Sequence, residues 1–191
     1  MQSLHAFFAQ HHPLQATTLQ QVAALFSPAT LPKNHFFVRD GDIARNMAFL
    51  ESGIVRGFYR KDNGEEFNKV LFSAPSFIGD YASLISGRPA QVSQQALTDA
   101  HIWVADYRQV TLLYETCPDL ERFARKWAES IFVQKEQREI ELTSLDAASR
   151  YHNFRKAFPD VEQQISQYHI ASWLGISPSH LSRIRRKIAG A

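Results

Sequence analysis

The segment ASWLGISPSHLSRIRRKI, residues 171–188, holds four cationic side chains, Arg183, Arg185, Arg186 and Lys187, and no anionic one. They are the only formal charges from residue 163 onward, so residues 1–162 hold 17 of the 21 basic side chains and all 19 acidic ones. A body that sums to −2 joined to a tail of +4 directs one surface at a polyanion. Ser177 suits a helix N-cap and Pro178 the first helical position, where its missing N–H costs nothing, while Leu181, Ile184 and Ile188 recur on one side. With that stripe facing inward, Ser179, His180 and Arg183 are left for base edges in double-stranded DNA. Arg183 is the strongest candidate, because its fork can donate twice to guanine O6 and N7. A base and a phosphate are equal alternatives for His180. Ser177 and Ser182 can donate to phosphates, and Arg185, Arg186 and Lys187 can neutralise them; such contacts position rather than specify.

A reading helix needs elements that hold it. In ISQYHIASWLG, Ser166 is a plausible cap, Ile170, Ala171 and Leu174 point inward, and Gly175 permits the left-handed turn that ends the helix. Two short helices joined by a glycine turn have the geometry of a helix-turn-helix. Upstream, residues 144–157 read as a helix with Ser144 as cap and Tyr151 and Phe154 inward, closed by Pro159. Before it, Pro118 opens a run of more than twenty residues without Gly or Pro, with Asp119 and Glu121 in the first turn where they suit the helix dipole. Leu120, Ala124, Trp127 and Ile131 make an apolar seam along it. The seam can pack on the chain's own sheet; on so long a helix it points further to a twin in a homodimer. One short reading helix buries little surface, so useful specificity also favours two copies on a two-fold symmetric site.

From about Leu31 to Tyr107 the pattern changes to short apolar or alternating runs between turn residues. In IVRGFYR, Val55, Gly57 and Tyr59 face one way and Ile54, Arg56, Phe58 and Arg60 the other. Asp62–Gly64 is a turn signal, which makes a hairpin of the flanking runs, and SFIGDYASLI, AQVSQQAL and HIWVADY continue the strand spacing. Many short strands imply a sandwich, jelly roll or barrel, with residues 1–26 as helices over one end of its core. No glycine loop has the spacing and lysine that nucleotide binding needs.

Composition narrows the function. With 191 residues, 45% of them hydrophobic and 21% charged, the chain can bury one substantial core. No run is long enough to span a bilayer and the N-terminus lacks the parts of a secretory signal, so the expected location is the cytoplasm, with no membrane partner. Cys117, alone, can form no internal disulfide or multi-cysteine metal site and reads as a small buried hydrophobe. His11, His12, His35 and His101 do not form a spaced ligand set, so no metal, cofactor or catalytic residue is expected. The rival readings are a protein-interaction module using the C-terminal helices and, further off, a cupin-type metal enzyme.

ESGIVRGFYRKDNGEE, SFIGDYASL, QALTDAHIWVADY and ISQYHIASWLGISPSHLSRIRRKI together resemble the catabolite-activator and fumarate-nitrate-regulator (Crp/Fnr) family of bacterial transcription factors, over nearly the whole chain. In length the chain looks like the compact members common in Bacteroidetes-type bacteria. The resemblance implies an α+β fold with a cupin-like jelly roll over residues 1–115, a dimerisation helix over 116–142 and a DNA-binding domain over 143–191. It also implies operator binding that helps or blocks RNA polymerase. Its effector pocket maps here to Phe77, Gly79, Asp80, Tyr81, Arg88, Ala90 and Gln91, with Phe77 and Tyr81 lining it. Asp80 stands where the ribose-binding glutamate of cyclic-nucleotide binders would be, and Ala90 and Gln91 where their phosphate-binding arginine and serine would be. Arg88 could replace that arginine only if the SGRPA turn bent inward. A buried cyclic phosphate without an arginine is hard to hold, so cyclic AMP is not the expected ligand, and the identity of any small-molecule effector stays open.

Overall fold

The computed structural model describes residues 1–189. Eight strands, β1 (Ser27–Leu31), β2 (Phe36–Val38), β3 (Asn46–Ser52), β4 (Ile54–Arg60), β5 (Glu66–Ser73), β6 (Ser76–Ile78), β7 (Ser93–Ala96) and β8 (Ala100–Asp106), form two antiparallel four-stranded sheets. Their orders, β1-β8-β3-β6 and β2-β7-β4-β5, interleave strands distant in sequence into a jelly roll. The period of two sorts the side chains into layers. In β3, Ala48 and Leu50 turn inward between the sheets while Phe49 turns outward; in β4, Val55 is inward and Ile54 outward. Gly53, between these strands, has φ +101° and meets the backbone of Asp99 and Ala100 so closely that a Cβ would lie 2.7 Å from the Asp99 carbonyl oxygen. The hairpin expected around Asp62–Gly64 joins β4 to β5, with Arg60 opposite Glu66.

Helices cover both outer faces. Over the first sheet lie α1 (Gln2–His11), α2 (Ala16–Ala24) and the start of the long α5 (Pro118–Ser144); Leu4, Phe7, Phe8, Val22, Leu120 and Phe123 bury themselves against Phe49 and Ala105. The buried Cys117 belongs to this layer. Over the second sheet lie α6 (Ala147–Ala157), α7 (Gln167–Leu174) and α8 (Pro178–Ala189), whose Tyr151, Phe154, Ile170, Leu174 and Leu181 share one core with Ile54, Leu71 and Leu97.

Two local expectations change. Only Ser76–Ile78 of SFIGDYASLI is a strand; Asp80 accepts a hydrogen bond from the Ser83 N–H and Gly87 closes the other end at φ +68°, which makes Tyr81–Ser86 a short helix, α3. The sixth helix starts later than expected, because Ser144 is still inside α5. Leu145 is extended, and it is Asp146 that caps α6 by accepting from the Ser149 N–H at 2.7 Å. A further short helix, α4 (Tyr107–Leu112), links β8 to the turn before α5.

Candidate nucleic-acid interface

The last two helices are joined at Gly175, which sits at φ +70°, ψ +31°. The Gly175 N–H bonds the Ser172 carbonyl and the Ile176 N–H bonds the Ala171 carbonyl at 3.0 Å, a double closure of the helix end that needs the left-handed residue at the joint. Two residues on, Ser177 Oγ accepts from the His180 N–H at 3.2 Å, the N-cap expected before Pro178. Leu181 and Ile184 are buried beneath α8, and Ile188 lies outside that stripe, 46% exposed. The opposite face shows Ser179, Arg183, Arg186 and Lys187 to solvent, with His180 and Ser182 half-buried at its margins. These residues form one continuous polar, cationic face.

Arg185 is placed differently from the other cations. Its Nε lies 3.2 Å from Glu162, which also takes Arg155 at 3.5 Å and the Tyr151 hydroxyl. Burial first, and then the Glu162 carboxylate, push the Tyr151 phenol up to about 12, so it stays a donor at neutral pH. This cluster ties α8 to α6 beside the cationic face.

Two other arginines hold α7. Arg138 on α5 stacks over the Trp173 ring at 3.5 Å from its centroid and donates to the Trp173 carbonyl. Arg150 on α6 donates to the Leu174 carbonyl at 3.1 Å. Burial lowers the Arg138 guanidinium to about 10, which still leaves it charged at neutral pH.

On α5 itself, Leu120 is buried and Trp127 packs edge-on to Phe7 at 5.1 Å, so these two seam residues face the chain's own aromatic core, with Ala124 and Ile131 half-buried beside them. The apolar side chains that α5 offers to solvent are Phe132, Val133 and Ile140, at 67%, 48% and 57% exposure.

The residues expected at an effector pocket have different surroundings. Phe77 turns outward from β6, opposite to Ile78, into the aromatic layer at 5.4 Å from Phe49. Asp80 is buried as the α3 cap, the Gly79 N–H is taken by Gln94 Oε1 at 3.0 Å, and Ala90 is buried with its backbone bonded to Gly41 and Asp42. Tyr81, Arg88 and Gln91 are exposed. Arg88, the one arginine of this set, makes no ion pair with Asp80. Among the described residues no group of three His, Cys, Asp or Glu side chains stands close enough to hold a metal ion, and no helix is long and apolar enough to cross a membrane.

Residues 28–117 match the cyclic nucleotide-binding domain family. Among curated proteins, none matches by sequence. Among solved structures, the c-di-GMP responsive global regulator CLP of Xanthomonas campestris is 18% identical, with 92% of each chain covered and a TM-score of 0.72. FixK2 from Bradyrhizobium japonicum is 14% identical, covers 86% of this chain and 85% of its own, and gives a TM-score of 0.75. The Thermus thermophilus catabolite activator protein is 19% identical over 94% and 85%, with a TM-score of 0.58. The architecture is thus an α+β fold shared with these structures: a cyclic-nucleotide-binding-like jelly roll, a long helix, and C-terminal helices resembling a helix-turn-helix.

The polar side chains between the second sheet and α7 are absent from the candidates read in the sequence. Arg56, 5% exposed, and Asn68, fully buried, meet His169 and Ser172 across that boundary. A signal was present: Arg56 is a charge at an outward, otherwise apolar position of β4.

Proposed function

We propose that this chain is a DNA-binding transcriptional regulator that acts in the cytoplasm as a homodimer on a two-fold symmetric operator, where it helps or blocks RNA polymerase. The observation that carries the reading is the α8 face, with Arg183, Arg186 and Lys187 exposed over a buried Leu181 and Ile184 stripe and a glycine-closed α7 bracing it. Arg183 reads a base, with Ser179 and His180 beside it, and Arg186 and Lys187 hold phosphates together with Ser177 and Ser182. The Arg185 pairing with Glu162 supports a smaller share of phosphate contact for that residue. The second copy packs on α5 at Phe132, Val133 and Ile140, the apolar side chains the chain leaves uncovered there. The working division is a sensor over residues 1–115, the dimer helix over 116–142 and the reading head over 143–191, the plan of the compact Bacteroidetes-type members. Arg88 being exposed and Ala90 buried support a sensor that does not take cyclic AMP; calorimetry with cyclic AMP should give no saturable heat. If an effector exists, it is a different small molecule.

The test is selection of bound duplexes from a random pool, followed by binding to single-base variants at several salt concentrations. Arg183→Ala should flatten preference at one position of each half-site, worth ~1 to 3 kcal/mol of discrimination. Lys187→Ala should weaken all duplexes alike and reduce the salt slope by about one per half-site contact. Absence of salt-dependent retention on any duplex would move the C-terminal helices to a protein partner instead.

A further inference from the structure

β5 is the edge strand of the second sheet, so alternate N–H and C=O groups along it have no strand partner. α7 supplies one. Ser172 Oγ accepts from the Asn68 N–H at 2.9 Å and donates to the Glu66 carbonyl at 3.1 Å, and the Asn68 side-chain amide donates to the His169 carbonyl at 2.9 Å. The first helix of the reading head is therefore hydrogen-bonded to the sheet edge at two successive outward groups.

Arg56 stands at the centre of this joint, with contacts from all three of its guanidinium nitrogens. Nε and one terminal nitrogen reach Gln95 Oε1 at 3.0 and 2.6 Å, that same nitrogen reaches Glu66 at 2.7 Å, and the other reaches Asn68 Oδ1 at 3.3 Å and His169 Nδ1 at 3.5 Å. Its plane lies over the Phe58 ring, 3.7 Å from the centroid. The His169 contact needs a bare Nδ1 and hence a neutral imidazole. Burial and then the Arg56 charge enforce that state, lowering the ring to about 4 against the opposing pull of Glu66 and a weaker push from Lys33. An apolar contact would let a helix slide or rotate by small amounts. A buried network with every member satisfied admits one angle.

We propose that this joint sets the angle of the reading head, with Arg56 as its positioning residue, so that the half-site spacing a dimer accepts is encoded in the sensor sheet. This rests on the DNA-binding reading above. Its chemistry is separate: the residues that choose spacing lie on β4, β5 and α7, not on the base-reading face of α8.

The experiment offers the full-length protein a library of paired inverted half-sites separated by spacers of different length. Wild type should favour one spacing. Arg56→Met, which keeps the stem and removes the donors, should cut the preference over spacers one base pair longer or shorter by roughly tenfold, with base preference inside each half-site unchanged. Arg56→Lys should recover part of it, and Ser172→Ala, a smaller change that serves if Arg56→Met does not fold, should act in the same direction. Nuclear magnetic resonance titration of His169 gives a second reading: the ring stays neutral through pH 5 in wild type and titrates closer to the ordinary range in Arg56→Met. Variants that bind every spacer more weakly but keep the wild-type spacing profile would overturn the proposal and leave the DNA-binding reading intact. A wild type that binds duplexes with no spacing preference would overturn it as well. A wild type that binds no duplex would take both down.

Discussion

The two outer faces of the jelly roll are covered in opposite ways. Over the first sheet, Phe7, Phe8, Phe49, Phe77, Phe123 and Trp127 interlock, with the Phe8 and Phe123 rings 4.6 Å apart and Phe7 edge-on to Phe49 and Phe77 at 5.4 Å. Over the second sheet, Ile54, Leu71 and Leu97 share an apolar core with the terminal helices, and Arg56, Glu66 and Asn68 form a polar network beside it against α7. Apolar burial is large and non-directional; a satisfied polar network adds less energy and more angular definition. The same fold thus carries one aromatic, apolar cover and another in which an apolar core is joined by a polar network. The cover that includes the terminal helix pair is the one with the polar network.

The largest effect should come from breaking the apolar side. Phe49→Ala, at a fully buried position in the middle of the aromatic layer, should cost about 3 to 5 kcal/mol of unfolding free energy in a denaturant titration. It should leave the spacing preference of any protein that remains folded unchanged.

The polar side should show its difference through pH. Unfolded, His169 takes a proton near its ordinary 6.5, but in the folded joint only at about 4, so between those values the unfolded chain binds more protons. Stability tied to this residue is therefore complete above pH 6.5 and declines as pH falls toward 4. The loss is on the order of 2 kcal/mol, since the ring keeps part of its solvent contact. Thermal melts between pH 7 and 5, above the range in which the carboxylates protonate, should show the decline in wild type and a flatter profile in His169→Leu.

The smallest effect on the fold separates the chain's own core from the proposed contact with a second copy. Phe132→Glu, at a position 67% exposed, should change unfolding free energy by no more than about 0.5 kcal/mol. Light scattering at micromolar concentration should fall from about twice the 21.8 kDa chain mass toward a single chain. Trp127→Glu should do the reverse and lose fold stability first, because that ring belongs to the aromatic layer.

Local signals in the sequence carried far. The alternation in β4 assigned Ile54 and Val55 to different layers, and the Gly175, Ser177 and Pro178 spacing located the joint between the last helices, because each rests on the backbone preference of a few neighbouring residues. Two competing signals misled. The apolar SFIGDYASLI continued the strand spacing while the Asp80 cap and Gly87 were already ending the strand, and Asp146, rather than Ser144, was the better-placed cap for α6. On α5 the seam of Leu120 and Trp127 and the stripe of Phe132, Val133 and Ile140 share one helix, and periodicity cannot say which of two stripes the chain covers by itself. At Arg56 the local signal, a charge at an outward apolar position of β4, marks the residue but not its partners. Its partners lie 12, 39 and 113 positions away, and only the folded sheet brings them together.

The core shared by the second sheet and the terminal helices also imposes an order on synthesis. Asn68 leaves the ribosome 104 residues before Ser172, and Ile54, Leu71 and Leu97 wait over a comparable interval for the helices that will cover them. Until α7 emerges, the nascent jelly roll carries an apolar strip beside an unpaired strand edge, the combination that invites pairing with neighbouring chains. Contacts so distant along the chain close late and slowly, so docking of the terminal helices is also the step that ends this exposure.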